Sequence, residues 1–291
     1  MSSPLPAPAP HESRREQTVR VTRPRTGFRY LDTVLEQPGA VLAFAHRGGA
    51  FHPGLEGLEN TMAAFQHAVG LGYGYLETDV HATRDGVLLA FHDAVLDRVT
   101  GSTGTVSAMR YADVADALIG GREQIPRFAD LLECFPTARF NIDLKSESAI
   151  EPLAALVRRR GDEDRVCVAS FSERRLRDFR RHMGPAVATA VGPVAVALAR
   201  LAPTATLARR MVRSPGVALQ IPHRRGPFPV VTAELVRRAH DTGRHVHVWT
   251  VDDPHEMHEL LDLGVDGVMT DRTDVLREVL IERGQWMGVP S

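Results

Sequence analysis

The chain has 291 residues, a formal net charge of -1 and a pI near 6.9. Its composition, 43% hydrophobic and 24% charged, allows one large core, and its length is close to that of a single (β/α) barrel. A nearly neutral chain has no field that would hold a polyanion, so we expect a small-molecule substrate and no nucleic-acid partner.

The N-terminus, the cysteines and one apolar stretch bear on the compartment. Residues 1–10 are rich in Pro and Ala and lack the charged start of a secretory signal, so a cytoplasmic protein is expected. Cys134 and Cys167 are far apart in sequence and are predicted to be reduced, buried thiols. The uncharged stretch 183–199 approaches the length of a membrane span, but its Pro and Gly residues favour a strand followed by an apolar helix, and no stable membrane insertion is expected.

Residues 1–38 are rich in Pro, Ser and Arg and are predicted to be a disordered tail, with the folded domain at 39–291. Strand and helix patterns then alternate along the chain, interrupted by an insertion at about 94–125. The predicted strands are Val41–His46, Tyr75–His81 with a hairpin arm Val87–His92, Arg139–Lys145, Val166–Phe171, Ala186–Val191, Val217–Ile221, His245–Val251 and Gly267–Thr270. The predicted helices are Asn60–Leu71, Arg127–Phe135, Ile150–Arg160, Glu173–His182, Val194–Val212, Ala233–Thr242, Pro254–Leu263 and Thr273–Arg283.

This alternation implies parallel strands, and eight strand-helix units allow the sheet to close. The predicted fold class is therefore α/β, a TIM (β/α)8 barrel with a small insertion after the second strand. An open doubly wound sheet is the alternative, but no Gly-rich dinucleotide fingerprint follows the first strand.

Acidic residues gather where strands are predicted to end. Alternate side chains of a strand share a face, so Glu77 and Asp79 project together, and Asp143 can join them from the next strand of the barrel. Several buried carboxylates require a cation, and three oxygen donors suit Mg²⁺ or Ca²⁺. The alternative is a core in which Lys145 and Arg47 form salt bridges with these acids.

Further polar residues lie at the same strand ends. In His46-Arg47-Gly48-Gly49 the glycines would let backbone amides approach a ligand, and the Arg fork suits phosphate oxygens. Glu59 opens the first helix and is either part of a cap or aimed at a metal. His92 opposite His46 would provide the acid and base that phosphodiester cleavage needs. Three other histidines are interpreted as structural: His81, His245 and His247.

Nine motifs together resemble one known family. They are His46-Arg47-Gly48-Gly49, Glu59-Asn60-Thr61, Glu77-Thr78-Asp79-Val80, Asp85-Gly86, His92-Asp93, Leu96-Asp97-Arg98-Val99-Thr100-Gly101, Ile125-Pro126, Asn141-Ile142-Asp143-Leu144-Lys145 and Trp249-Thr250-Val251. In order and spacing, over about residues 41–283, they resemble the glycerophosphodiester phosphodiesterase family.

The resemblance implies a TIM barrel that hydrolyses glycerophosphodiesters to sn-glycerol 3-phosphate and an alcohol with a divalent cation. The roles it implies are acid/base catalysis for His46 and His92, phosphate binding for Arg47 and Lys145, metal binding for Glu77, Asp79 and Asp143 with Glu59 beside them, and a place in the substrate pocket for Trp249. Two residues depart from the family pattern: Asp143 stands where Glu is usual, and Asp252 where Asn is common.

The attacking group and the substrate class remain open at this point. Either the glycerol 2-hydroxyl attacks, giving a cyclic phosphate, or water attacks directly. Cleavage of lysophospholipids or phosphoinositides on the same barrel is an alternative, which would need an apolar slot or a membrane-docking surface. A non-catalytic phosphate-binding module ranks last, because both histidines and all the acids are present.

Overall fold

A computed structural model of the protein describes residues 23–201 and 214–288. Within these residues, eight parallel strands form the main sheet, and each is hydrogen-bonded to its neighbours in the order given next. In sheet order they are β8 (Ala188–Thr189), β7 (Val166–Ala169), β6 (Arg139–Leu144), β2 (Tyr75–Ala82), β1 (Leu42–Ala45), β13 (Gly267–Thr270), β12 (His245–Trp249) and β9 (Ala218–Pro222).

The two outer strands of this order meet and close the sheet. Ala190, just after β8, forms a parallel bridge with Ala218 of β9. The Val191 amide donates to the Ala218 carbonyl at 2.8 Å, and the Val217 amide donates to Thr189 at 2.9 Å. The predicted TIM barrel is therefore confirmed, and the predicted strands agree with the observed ones to within a few residues at each end.

Helices follow the strands on the outside of the barrel, as the alternating pattern predicts. The larger ones are α2 (Met62–Gly70), α4 (Phe128–Cys134), α5 (Ile150–Arg160), α6 (Glu173–Met183), α7 (Pro193–Leu201), α8 (Ala233–Asp241), α9 (Pro254–Asp262) and α10 (Thr273–Glu282). The predicted helix Val194–Val212 is observed to residue 201, and the rest of it lies outside the described residues. None of the helices in the described ranges has the length and apolarity that crossing a bilayer requires.

The insertion follows a hairpin between β2 and the antiparallel strand β3 (Leu88–Ala90). It contains the short helix α3 (Tyr111–Val114) and a small hairpin of β4 (Leu118–Ile119) and β5 (Glu123–Gln124). Its apolar side chains form a separate small core around Phe91, which also includes Leu89, Leu96, Val106, Val114 and Ile119. The insertion is therefore a packed unit placed beside one part of the barrel mouth.

The cysteine prediction is half right. Both thiols are free, and Cys167 is buried in the barrel, where burial raises its pKa to about 12. Cys134 is exposed, so the prediction that it is buried is wrong. It is the last residue of α4, whose buried face is formed by Phe128, Leu131 and Leu132.

The segment before the first strand is ordered where the structure describes it. Tyr30, Leu31 and Val34 are buried in the cluster that fills the barrel interior, on the short helices α1 (Arg29–Asp32) and 33–36. The Tyr75 hydroxyl donates to the Tyr30 carbonyl at 2.6 Å. The prediction of a disordered tail is therefore wrong for residues 23–38, and residues 1–22 lie outside the described residues. We call residues 28–35 the N-terminal plug.

Shortening Tyr30 tests whether the N-terminal plug stabilises the barrel. The Tyr30 ring meets the Tyr75 ring edge-on at 5.4 Å between centroids, so Tyr30→Ala should lower the free energy of unfolding by about 3 kcal/mol. Tyr30→Phe is the control, because the Tyr30 hydroxyl is buried without a hydrogen-bond partner and its removal should cost little. Equal stability of wild type and Tyr30→Ala in urea unfolding would contradict the packing role.

His247 should make the protein sensitive to acid. Burial lowers the pKa of its imidazole to about 3 from an ordinary 6.5. Between these pH values the unfolded chain takes up a proton that the folded chain does not. For each unit by which the pH is lowered in this range, this group therefore reduces the free energy of unfolding by about 1.4 kcal/mol. The slope of unfolding free energy against pH between about pH 6 and 4 should flatten in His247→Leu; parallel curves for wild type and variant would refute this.

Candidate active site

The predicted acids converge at the C-terminal end of the barrel strands. In the parallel pair of β2 and β6, Glu77 stands opposite Asn141 and Asp79 opposite Asp143. All four side chains are buried. Lys145 follows directly and its ammonium lies 2.9 Å from Asp79 and 2.7 Å from Asp143. The two strands thus bring their acids to one point, as the alternation predicts.

Asp79 is the most heavily paired of these acids. Besides Lys145, the Arg47 Nε lies 3.1 Å from it and the Asn60 amide donates to it at 2.9 Å. Burial alone would raise the pKa of Asp79, but Lys145 and then Arg47 outweigh burial and lower it. Asp79 is therefore held as a carboxylate in a site shielded from water.

Glu77 and Asp143 are less well compensated. Burial, with the nearby Asp79 charge, raises the pKa of Glu77 to about 7. Burial also raises the pKa of Asp143 in spite of its contact with Lys145. Oδ1 of Asp143 is buried and has no hydrogen-bond partner. The cationic side chains of the site therefore do not fully compensate the cost of burying the Glu77 and Asp143 carboxylates.

The loop after β1 has an unusual backbone. Arg47, Gly48 and Gly49 all have positive φ, at 49°, 87° and 88°. A Cβ on Gly48 would come 2.7 Å from the Ala64 Cβ, so glycine is required there for packing as well as conformation. The left-handed turn directs the Arg47 guanidinium to Glu59 and Asp79, at 3.2 and 3.1 Å.

His46 is oriented by a carboxylate that the sequence analysis did not assign a role. Its Nδ1 lies 2.9 Å from Oδ1 of Asp271, at the end of β13, and its Nε2 lies 3.8 Å from Glu77. Burial disfavours the charged imidazole, but Glu77 and then Asp271 outweigh it and raise the pKa of His46. The position of Asp271 at a strand end was the signal available in the sequence.

His92 has a matching carboxylate. Its Nδ1 lies 2.6 Å from Asp93, and Arg98 of the insertion binds both Asp93 and Glu59. The Phe91 amide donates to the Asp79 carbonyl at 2.9 Å, which places His92 beside the acid cluster. Both predicted catalytic histidines therefore lie at the same end of the barrel, each with a carboxylate at Nδ1.

Glu59 is engaged by two guanidinium groups. Arg98 donates to both of its oxygens, at 2.6 and 2.9 Å, and Arg47 donates at 3.2 Å. The structure thus gives Glu59 a role in holding Arg47 and Arg98 in place, and its predicted position as a metal neighbour stays a prediction.

Trp249 ends β12 on the other side of the mouth. Its ring meets that of Phe171 at 5.5 Å between centroids, and the Lys145 ammonium lies 5.8 Å from the Phe171 ring centroid. The predicted pocket residue is therefore linked to the acid cluster through Phe171, a residue that the sequence analysis missed. Phe171 is 64% exposed, so the pair forms an apolar wall that is open to solvent.

The residues fit a hard divalent cation by donor type. Within 23–201 and 214–288 no group of three or more His, Cys, Asp or Glu side chains is already arranged to hold a metal. Lys145 instead bridges Asp79 and Asp143. The unpartnered Asp143 oxygen and the poorly compensated Glu77 are the groups that a divalent ion would satisfy, and carboxylate oxygens are the donors that Mg²⁺ and Ca²⁺ prefer.

A sequence model of the glycerophosphoryl diester phosphodiesterase family matches residues 46–275. The chain belongs to this family. A Mycobacterium tuberculosis protein described as probable glycerophosphodiester phosphodiesterase 2 is 44% identical over 254 residues, which cover 86% of this chain and 94% of that protein. A rat protein described as lysophospholipase D GDPD1 is 30% identical over 81% of this chain and 85% of its own. The crystal structure of a putative glycerophosphoryl diester phosphodiesterase from Silicibacter pomeroyi has a TM-score of 0.73 at 25% identity, covering 89% of this chain and 99% of that one.

The glycerophosphodiester phosphodiesterase assignment makes the chain a phosphoric diester hydrolase. Its two departures from the family pattern are readily placed in the structure. Asp143 faces Asp79 across the strand pair. Oδ1 of Asp252 accepts from the Thr270 hydroxyl and the Asp271 amide, both at 2.8 Å, and so fixes the loop that carries Asp271. The amide oxygen of an Asn could accept the same bonds.

Proposed function

We propose that the protein hydrolyses glycerophosphodiesters to sn-glycerol 3-phosphate and an alcohol, with His46 and His92 as the acid/base pair and a divalent cation, Mg²⁺ or Ca²⁺, as cofactor. The observation that carries the proposal is the pair of imidazoles at one barrel end, each with a carboxylate at Nδ1. A carboxylate there favours the tautomer with a proton on Nδ1, which leaves Nε2 to take or give a proton.

The chain's own groups account for most of the chemistry. Arg47 presents a planar fork for two phosphate oxygens, and Lys145 adds a point charge nearby. One imidazole removes the proton of the attacking group, which is either water or the glycerol 2-hydroxyl, and the other protonates the departing alkoxide. If the glycerol 2-hydroxyl attacks, water then opens the resulting cyclic phosphate to give glycerol 3-phosphate. Because burial excludes water here, these charges act on the phosphate more strongly than they would in solution.

Glu77, Asp79 and Asp143 would hold the cation. When bound, it would supply a positive charge that stabilises the negative charge developing on the phosphate oxygens. Binding would also require Lys145 to leave its bridging position between Asp79 and Asp143, which frees its ammonium for the phosphate.

The direct test is an assay of the purified protein on glycerophosphocholine and glycerophosphoethanolamine with Mg²⁺, Ca²⁺ or a chelator. Release of glycerol 3-phosphate that depends on the metal is expected. Turnover that the chelator leaves unchanged would refute the metal requirement, and the absence of turnover with either ion would refute the proposed reaction. Trapping of a cyclic phosphate would identify the glycerol hydroxyl as the attacking group.

Removing the charge on Asp271 should impair His46 without touching the phosphate. In Asp271→Asn the amide can donate to Nδ1 and so favours the wrong tautomer, and kcat should fall at least about 10²-fold with KM little changed. Asp274→Asn is the matched control, since Asp274 pairs with Arg272 away from the imidazole. Equal activity of the two variants in steady-state kinetics would show that Asp271 does not act through His46.

Lysophospholipids are a second candidate substrate. The Phe171–Trp249 wall lies beside Lys145 and offers an apolar contact next to the predicted phosphate position. The similarity to the rat protein described as lysophospholipase D supports the same substrate class. Comparison of rates on lysophosphatidylcholine and glycerophosphocholine would decide between them, and Phe171→Ser should reduce only the rate on the acylated diester.

A further inference from the structure

The barrel mouth is divided into a charged half and an apolar half. Strands β13, β1, β2 and β6 are neighbours in the sheet, and the acid cluster with its charged partners lies on or directly after them: His46, Arg47, Glu77, Asp79, Asp143, Lys145 and Asp271. Strands β7, β8, β9 and β12 form the other half of the barrel. The segments that follow three of these strands carry exposed apolar side chains: Phe171 at 64%, Val194 in the first turn of α7 at 61%, and Phe228 at 73% exposure.

Phe228 lies on a small hairpin that follows β9. In this hairpin Arg224-Arg225, strand β10, pairs antiparallel with Phe228-Pro229, strand β11. Both arginines are exposed, and Arg225 stands directly opposite Phe228 in the register. Arg224 lies 3.6 Å from Glu259, a half-exposed pair, so its charge is only partly offset. The hairpin therefore presents a large apolar side chain beside two positive charges.

We propose that this hairpin, together with Phe171 and Val194, docks the barrel mouth on the surface of an anionic phospholipid bilayer. An exposed Phe gains by entering the boundary between headgroups and acyl chains, and adjacent arginines are attracted to anionic headgroups. The charge complementarity of Arg224 and Arg225 selects an anionic bilayer as the occupant over a neutral one. In the docked orientation the site faces the bilayer.

The exposed apolar residues are concentrated at the end of the barrel that carries the candidate active site, which supports docking through this end. Among the described residues seven large hydrophobic side chains are exposed, and four of them lie in the segments directly after barrel strands: Phe51, Phe171, Val194 and Phe228. Ile281, at 47% exposure, lies near the end of α10, at the opposite end of the barrel. Because the proposal concerns binding of a surface, it does not depend on which diester is cleaved.

The test is sedimentation of the full chain with vesicles of phosphatidylcholine alone and of equal parts phosphatidylcholine and phosphatidylglycerol. We expect binding to the mixed vesicles that weakens with salt. Phe228→Ser and Arg225→Glu should each weaken it about tenfold. The matched controls are Ile281→Ser, an exposed apolar residue at the other end, and Arg177→Glu, an exposed Arg on the outer helix α6; neither should change binding.

Three results of the sedimentation experiment would overturn the proposal: no binding to the mixed vesicles, equal binding to both kinds of vesicle, or equal losses in the variants and their controls. Light scattering without lipid checks the alternative that Phe228 contacts a second copy of the chain, and self-association that Phe228→Ser abolishes would also overturn it. All the replaced side chains are exposed, so far-UV circular dichroism and melting should show unchanged folding.

Discussion

Replacing either His46 or His92 by alanine should lower kcat about 10²–10⁴-fold, because each removes one of the two proton transfers that diester cleavage needs. The structure holds each imidazole by a carboxylate, Asp271 at 2.9 Å and Asp93 at 2.6 Å, so the lost group is a fixed one that solvent replaces poorly. The measurement is steady-state kinetics of glycerol 3-phosphate release from glycerophosphocholine.

The control for both variants is His255→Ala, since the His255 side chain is 81% exposed on α9. It should retain full activity. The double variant His46→Ala/His92→Ala should lose much less than the product of the single losses, because groups that act in one step are not additive. Activity within threefold of wild type in either single variant would eliminate that histidine as an acid or base.

Loss of the Asp79 charge should affect activity as strongly as loss of a histidine. Asp79 contacts Lys145 and Arg47 and faces Asp143 in register, so Asp79→Asn removes the acid on which the predicted cation site and phosphate site both depend. We expect kcat/KM to fall at least about 10³-fold, and binding of Mg²⁺ or Ca²⁺, measured by calorimetry without substrate, to weaken strongly.

Asp143→Glu is the informative companion to Asp79→Asn. It restores the residue usual in the family and keeps the charge, so activity should be retained or raised if Asp143 ligates the ion. Asp113→Asn, on the short helix α3 of the insertion, is the control for loss of one carboxylate. Unchanged metal binding in Asp79→Asn, or equal losses in Asp79→Asn and Asp113→Asn, would count against the site.

The barrel and the acid cluster could be predicted because both follow from local patterns. Strand alternation alone places Glu77 and Asp79 on one face, and the rule that parallel neighbours end together brings Asp143 to them. The register confirms this, with Asp79 opposite Asp143. The positions of these three acids can therefore be predicted from the two-residue periodicity of the strands and their parallel order.

The residues whose roles the sequence did not reveal act through contacts far along the chain. Asp271 reaches His46 across 225 positions, and Arg98 of the insertion reaches Glu59 across 39. The N-terminal plug is likewise ordered by contacts with residues that are distant in the sequence. Its segment is too polar to fold alone, and the predicted disorder follows from composition, but Tyr30 and Leu31 find an apolar cavity that the rest of the barrel provides.

The placement of the N-terminal segment constrains the order of events during synthesis. Arg23 lies 3.2 Å from Asp266, and the Pro24 carbonyl lies 3.1 Å from His245. Residues 23 and 24 therefore reach these partners only after the chain has been synthesised as far as Asp266. Until then the N-terminal end of the nascent barrel exposes the apolar lining that Tyr30 later covers, and transiently exposed apolar surface of this kind is prone to aggregate.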